Sequence, residues 1–221
     1  MGIAGYIDHT LLRPEATLAE IDKLCDEALA HKFHAVCVHP FWVMRCSSQL
    51  KDTEVKVCSV IGFPFGCNTS STKAYETTGA LEAGASEFDM VINLAAVKSD
   101  KWSVVEADIA GVVAAALGRT VKVILETALL TDAEKTRACQ VAESAGAHFV
   151  KTSTGFNQSG ATLEDVALMR RAVGDRLQIK ASGGIRDLAT LQRFVAAGAS
   201  RIGTSHGVNI LSGLAAQPGA Y

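Results

Sequence analysis

The sequence predicts an α/β protein folded as a single-domain eightfold β/α (TIM-type) barrel, and three observations predict it. Short apolar runs alternate with amphipathic helical patterns along the whole chain. The triplet Ala-Gly-Ala recurs at 83–85, 145–147 and 197–199, each time where a helical pattern ends just before an apolar run. Runs centred on Ile7, Val36, Val57, Met90, Ile124, Val150, Ile179 and Ile202 give about eight units, a number that favours a closed parallel barrel. A doubly wound open sheet is the competing arrangement, but no G-x-G-x-x-G follows the first strand to support it.

The elements follow in order. Ile7-Asp8-His9-Thr10 is a first short strand, and Thr17-Leu18-Ala19-Glu20 is a capping box that starts a helix with Ile21, Leu24, Cys25 and Ala28 at helical spacing. Ala35-Val36-Cys37-Val38 and residues 55–61 are the next strands, the second closed by the loop Gly62-Phe63-Pro64-Phe65-Gly66. A helix is expected over about 71–81, then a strand over 88–92, then a long helix with Ile109, Val112, Val113 and Ala116 on one face. Residues 121–125 form a strand, and Thr131-Asp132-Ala133-Glu134 caps the helix after it. In each Ala-Gly-Ala triplet the glycine supplies the left-handed residue that stops a helix and turns the chain back to the sheet.

Composition narrows the function. The 221 residues are 48% hydrophobic and 20% charged, as in an ordinary globular protein. A net charge of −2 provides no global field for nucleic acid or an anionic membrane, so neither is an expected partner. No apolar run approaches bilayer length and no basic-then-hydrophobic leader opens the chain, so a cytoplasmic protein is expected. The six cysteines contain no C-x-x-C pair and read as reduced core thiols; the six histidines contain no H-E-x-x-H, so no metal site is expected. No linker or composition break divides residues 1–221, and residues 215–221 lack any pattern and read as a mobile tail.

Chemistry enters at Phe149-Val150-Lys151-Thr152-Ser153-Thr154-Gly155, where a buried-strand pattern runs straight into a lysine. Desolvation favours the free amine, which attacks carbonyls; the alternative is a lysine whose stem packs while its charge reaches water. Lys180 ends the seventh strand as Lys151 ends the sixth, so the barrel sets them side by side, and each ammonium is expected to lower the pKa of the other. Asp89 and Asp8 interrupt apolar strands on the same barrel and are either proton-transfer groups or buried partners for the lysines. The loops Ser182-Gly183-Gly184 and Gly203-Thr204-Ser205, after strands seven and eight, precede helix starts where backbone N–H groups can hold phosphate, with Arg186 able to add charge. Tight βα turns alone would also explain these glycines.

The segments Ile7-Asp8-His9-Thr10-Leu11-Leu12, Val36-Cys37-Val38-His39-Pro40, Val60-Ile61-Gly62-Phe63-Pro64-Phe65-Gly66, Phe88-Asp89-Met90-Val91-Ile92-Asn93, Phe149-Val150-Lys151-Thr152-Ser153-Thr154-Gly155-Phe156, Lys180-Ala181-Ser182-Gly183-Gly184-Ile185-Arg186 and Gly203-Thr204-Ser205 resemble the deoxyribose-phosphate aldolase family of class I aldolases, in the same order over nearly the whole chain. The resemblance implies reversible cleavage of 2-deoxy-D-ribose 5-phosphate to D-glyceraldehyde 3-phosphate and acetaldehyde, with no metal or organic cofactor. It implies Lys151 as the imine-forming residue, Lys180 as the group that tunes it, and Asp89 and Asp8 in proton transfer and support of Lys180. It implies Thr154, Gly155, Gly183, Gly184, Gly203 and Ser205 at the substrate and its phosphate.

The family usually carries a second serine after Ser205, and this chain has His206. The imidazole either replaces the lost hydroxyl with charge, weakens phosphate binding, or turns to solvent. Tyr221 matches a terminal tyrosine that reaches the site in some members, against the simpler reading of an idle tail. Cys37 ends a strand near the site and is read as a core thiol. The expected partners are small phosphosugar and aldehyde substrates, with a homodimer as the default assembly. Another imine-forming barrel aldolase, or a phosphosugar-binding protein without activity, are the alternatives.

Overall fold

The structure, a computed structural model, describes residues 2–157 and 159–213. Eight strands, β1 (Ile7–Thr10), β2 (Ala35–Val38), β3 (Lys56–Ile61), β4 (Glu87–Val91), β5 (Thr120–Ile124), β6 (Phe149–Lys151), β7 (Gln178–Ser182) and β8 (Arg201–Thr204), close a barrel in sequence order. Every pairing is parallel, and β8 returns to β1 with Asp8 opposite Gly203. The eightfold β/α barrel expected from the sequence is therefore the fold. The segment 215–221, with Tyr221, lies outside the described residues.

Nine helices of the described residues pack outside or follow the strands: α1 (Leu18–His31), α2 (Val43–Gln49), α3 (Ser70–Glu82), α4 (Leu94–Lys98), α5 (Trp102–Ala115), α6 (Asp132–Ser144), α7 (Leu163–Val173), α8 (Leu188–Ala196) and α9 (Gly207–Ser212). Both capping boxes form: Thr17 and Glu20 exchange bonds at the start of α1, and Thr131 and Glu134 at the start of α6. The three Ala-Gly-Ala triplets stop α3, α6 and α8, with Gly84, Gly146 and Gly198 at φ +104°, +82° and +112°. None of these helices is long and apolar enough to cross a membrane.

Side chains alternate across each strand, and this period of two sorts the molecule into two interiors. Residues such as Val36, Phe88, Met90, Val121, Val123, Val150, Ile179 and Ile202 are buried in the hydrophobic core shared with helix residues such as Ile21, Leu24, Ile109, Val112, Val166 and Leu191. Each fully buried aliphatic or aromatic side chain contributes about 1.5–3 kcal/mol, so this outer core carries the barrel. The residues between them face the barrel axis, and many are charged: Asp8, Glu87, Asp89, Lys122, Lys151, Lys180 and Arg201 are all buried. The first residue of β4 shows the consequence. The apolar pattern suggests a start at Phe88, but the strand begins at Glu87, whose carboxylate is turned inward and paired rather than left in water. All six cysteines are free; five are buried as expected, whereas Cys67 is exposed.

Candidate active site

The inward charges of five strands form a closed alternating ring. Lys180 Nζ reaches Asp8 Oδ2 at 2.5 Å and Asp89 Oδ2 at 2.7 Å. Lys122 Nζ reaches Asp89 Oδ1 at 2.8 Å and Glu87 Oε2 at 2.6 Å. Arg201 Nη1 reaches Glu87 Oε2 at 3.1 Å and Asp8 Oδ1 at 3.0 Å, which closes the circuit. Each of these three cations bridges two carboxylates of the circuit, and each carboxylate two cations; Lys122 Nζ also comes within 4.0 Å of Asp8 Oδ2. Isolated buried charges are prohibitively costly, and only this mutual pairing lets six of them share a barrel interior.

Lys151 is a seventh group added to that ring. Its Nζ lies 2.7 Å from Asp89 Oδ2, the oxygen that also receives Lys180, and no other carboxylate of the described residues pairs with it. Three carboxylates thus face four basic side chains, one more than the pairing of the ring uses. Position separates it too: Lys151 borders the cleft at the carboxyl end of the barrel, whereas Lys122 and Lys180 are fully buried beneath it.

The electrostatics of Lys180 correct one expectation. Side-by-side lysines were expected to lower each other's pKa. Burial does disfavour the Lys180 ammonium, but Asp8 and Asp89 more than offset this and hold its pKa above the ordinary lysine value. Lys122 is likewise held well above its usual value, against burial, by Asp89, Cys58, Glu87 and Asp8. Burial raises the carboxyl pKa of Asp89, yet Lys122, Lys151 and Lys180 together hold it well below the usual range. Asp8 is lowered in the same way, against burial, by Lys180, Arg201 and Lys122.

The cleft opens to solvent at the carboxyl end of the barrel, and the loops after β1, β6, β7 and β8 line it. Gly155, Gly183, Gly184, Gly203, Ser205 and His206 all border it, as does Arg186. His206 is only 7% exposed, so it is not turned to solvent. Gly203 has a second reason to be glycine: a Cβ there would lie 3.1 Å from Lys180 Cε and 3.0 Å from Ser182 Cβ. Thr154 also borders the cleft, but its N–H and hydroxyl are both donated to the Glu126 carboxylate, so the position expected to bind substrate uses its donors on the protein.

Sequence reasoning did not find Lys122, Glu87, Arg201 or Arg13. Lys122 carried a signal of the same kind as Asp89, a charge inside the apolar run Val121-Lys122-Val123-Ile124. Glu87 and Arg201 stand at strand starts, where a charge ordinarily meets water. Arg13 borders the cleft and bonds Glu15 and Glu20 at 2.6 and 2.5 Å. Cys37 is buried opposite Cys58 in the β2–β3 register. Their sulfurs and a carboxylate oxygen of Asp89 lie within 4.8 Å of one another, a donor set with metal-ligand spacing. The Lys122 and Lys180 ammonium groups on Asp89 oppose a further cation there.

A lysine amine at the carboxyl edge of a closed β/α barrel, seated on a charge ring and opening to a glycine-lined cleft, is the arrangement of a barrel aldolase. The family model of the DeoC/LacD family aldolases matches residues 3–213, and the chain belongs to that family. More particularly, it is similar to deoxyribose-phosphate aldolases. That of Staphylococcus epidermidis is 56% identical over 214 residues, covering 97% of each chain. That of Bacillus subtilis is 57% identical, covering 96% of each. Among solved structures, the tetrameric deoxyribose phosphate aldolase of Aeropyrum pernix superposes with a TM-score of 0.89 at 37% identity, covering 95% of this chain and 89% of that one.

Proposed function

We propose that the protein reversibly cleaves 2-deoxy-D-ribose 5-phosphate to D-glyceraldehyde 3-phosphate and acetaldehyde, through an imine at Lys151. The observation that carries this reading is the position of Lys151: it alone of the three clustered lysines borders the cleft, and it is surplus to a ring that is balanced without it.

Lys151 adds to the C1 aldehyde and water leaves, giving an iminium. This cation draws the electrons of the C2–C3 bond as that bond breaks, while the C3 hydroxyl loses its proton and becomes the aldehyde of glyceraldehyde 3-phosphate. The enamine left on Lys151 takes a proton at C2, and hydrolysis releases acetaldehyde and the amine. Asp89 and Lys180 are the groups placed to move these protons, because Asp89 Oδ2 touches both lysines at 2.7 Å. Asp8 anchors Lys180 from the other side. The phosphate binds at the Gly183-Gly184 and Gly203-Ser205 loops, with Arg13 and Arg186 supplying positive charge at the same cleft. No metal or organic cofactor is required by these steps.

Borohydride reduction in the presence of acetaldehyde, followed by peptide mass mapping, tests the assignment. A two-carbon adduct on Lys151, lost in Lys151→Met together with cleavage, is the expected result; an adduct confined to surface lysines overturns it. We expect a cytoplasmic homodimer. Phe41, Met44 and Tyr75 are large apolar side chains left largely exposed, and light scattering reads the assembly directly.

A further inference from the structure

Glu126 is a buried carboxylate outside the charge ring. It stands just beyond β5, fully buried, with backbone angles of φ 56° and ψ 61°. The other non-glycine residues of the described chain with positive φ, Lys32, Asp52, Asp100 and Leu117, are all exposed turn residues. A buried non-glycine residue in this conformation persists only where its surroundings hold it there.

Those surroundings are the β6–α7 loop. Leu125 N–H donates to Lys151 O at 2.9 Å and Thr127 N–H to Thr152 O at 3.0 Å. The successive residues Lys151 and Thr152 at the end of β6 are thus matched by three beyond β5, with Glu126 the extra one, the count of a β-bulge. A glycine would be the ordinary occupant of a left-handed bulge position. Glu126 instead uses its side chain. It accepts the Thr154 hydroxyl at 2.5 Å, the Thr154 N–H at 3.3 Å and the Asn157 amide at 2.9 Å, and no ion pair of the described residues reaches it. The Thr154 oxygen in turn accepts the Phe156 N–H at 3.1 Å. Thr154, Gly155 and Phe156 form the cleft wall beside Lys151, and the Phe156 ring packs edge-on against Phe63 from the β3–α3 loop with centroids 5.2 Å apart.

We infer that Glu126 is a positioning residue, which bends the end of β5 and fastens the β6–α7 loop as the wall of the cleft, and so sets affinity for the sugar phosphate without taking part in imine formation. The inference rests on the function proposed above. A carboxylate rather than a glycine at the bulge is explained by the four-residue span of loop that it fastens. The strands themselves would close without it.

Three readouts on the full-length protein test this. Glu126→Gly removes the fastening while easing the backbone, so it folds. Its KM for 2-deoxyribose 5-phosphate rises at least about tenfold, the effect of losing hydrogen bonds to a charged acceptor. Borohydride trapping of acetaldehyde on Lys151 stays within about threefold of the parent, because the amine and its carboxylate are untouched. Glu126→Gln keeps an acceptor oxygen for Thr154 and restores most of the KM. Hydrogen exchange at the Thr154 and Phe156 amides quickens in Glu126→Gly and is protected in Glu126→Gln, a readout independent of the reaction. Trapping that falls in step with cleavage, an unchanged KM, or retained amide protection in Glu126→Gly each overturns the inference. A parent protein that traps nothing on Lys151 contradicts the proposed function instead, and the exchange measurement still decides the role of Glu126.

Discussion

Lys122 donates to Oδ1 of Asp89 at 2.8 Å, on the side of the carboxylate opposite the cleft lysine, and so leaves Oδ2 as the oxygen that Lys151 and Lys180 share. The orientation of the Asp89 carboxylate is thereby set from below. Glu87 holds Lys122 in place at 2.6 Å, and the Lys122 ammonium also faces Cys58 Sγ at 3.4 Å and the Phe149 ring.

Removing that ammonium in Lys122→Met leaves two buried carboxylates short of a partner. A loss of about 3–5 kcal/mol in stability is expected, with kcat falling at least about tenfold as Asp89 loses its orientation. Adding Glu87→Gln removes one of the stranded charges and should recover part of the stability. Urea unfolding of the parent, the single and the double variant checks this; a double variant less stable than Lys122→Met contradicts the ring.

The ring also predicts a pH window. Asp8, Glu87 and Asp89 have folded-state pKa values below the ordinary carboxyl values, so the stability they add is complete above about pH 5 and is lost as pH falls through the lowered values. Lys122 and Lys180 are raised above the ordinary 10.5, so their share is complete below about pH 10 and is lost only as pH climbs through the raised values. The stability difference between the parent and the Lys122→Met/Glu87→Gln double variant should therefore be level from about pH 5 to 10 and shrink in acid. A difference that shrinks between pH 6 and 8 would count against this assignment.

Gly203→Ala places a methyl group 3.1 Å from Lys180 Cε. The long Lys180 side chain yields, shifting its ammonium relative to Asp89, so kcat drops about tenfold or more with the barrel intact by circular dichroism. Gly184→Ala meets no atom within 4 Å but forces a side chain onto φ +80° in the cleft loop proposed to hold phosphate, and its effect should fall on KM. Equal effects of the two on kcat would separate Gly203 from Lys180.

His206 is buried at the cleft, directly after Ser205. An imidazole N–H at the cleft can donate to a phosphate oxygen, so His206→Ser should lower the preference for 2-deoxyribose 5-phosphate over 2-deoxyribose by a few-fold. Steady-state kcat/KM for the two sugars measures it, and an unchanged ratio removes His206 from substrate selection.

Much of this architecture was legible in the sequence. All eight strands fell within a residue or two of the apolar runs, because a parallel sheet buried on both faces writes continuous apolar stretches. Both capping boxes and the three Ala-Gly-Ala stops marked helix ends directly. The short helices α2 and α4 escaped, being too brief for a periodic pattern, and α7 lies after a loop rich in glycine and serine. At the site, Lys151, Lys180, Asp8 and Asp89 stood out as charges in apolar strands. Glu87 and Arg201 did not, since only the register of the closed barrel reveals that a strand-start charge points inward. The sign of the Lys180 shift was missed for a related reason: two lysines side by side repel, but Asp8 comes from a strand at the other end of the sequence, and its carboxylate decides the outcome. Nothing in the sequence singled out Glu126, whose backbone angle is visible only in three dimensions.

The charged groups proposed to act on the carbonyl all stand on strands, whereas the Gly183-Gly184 and Thr154-Phe156 segments that border the cleft stand in loops. Each group of the ring answers to two neighbours, so a lone change there is penalised twice, once on either side. The bordering segments carry no such double obligation. Reaction and selectivity are thus inherited through different parts of the chain, and new aldehyde acceptors should be reachable by exchanging loop segments between related barrels while the strands are left alone.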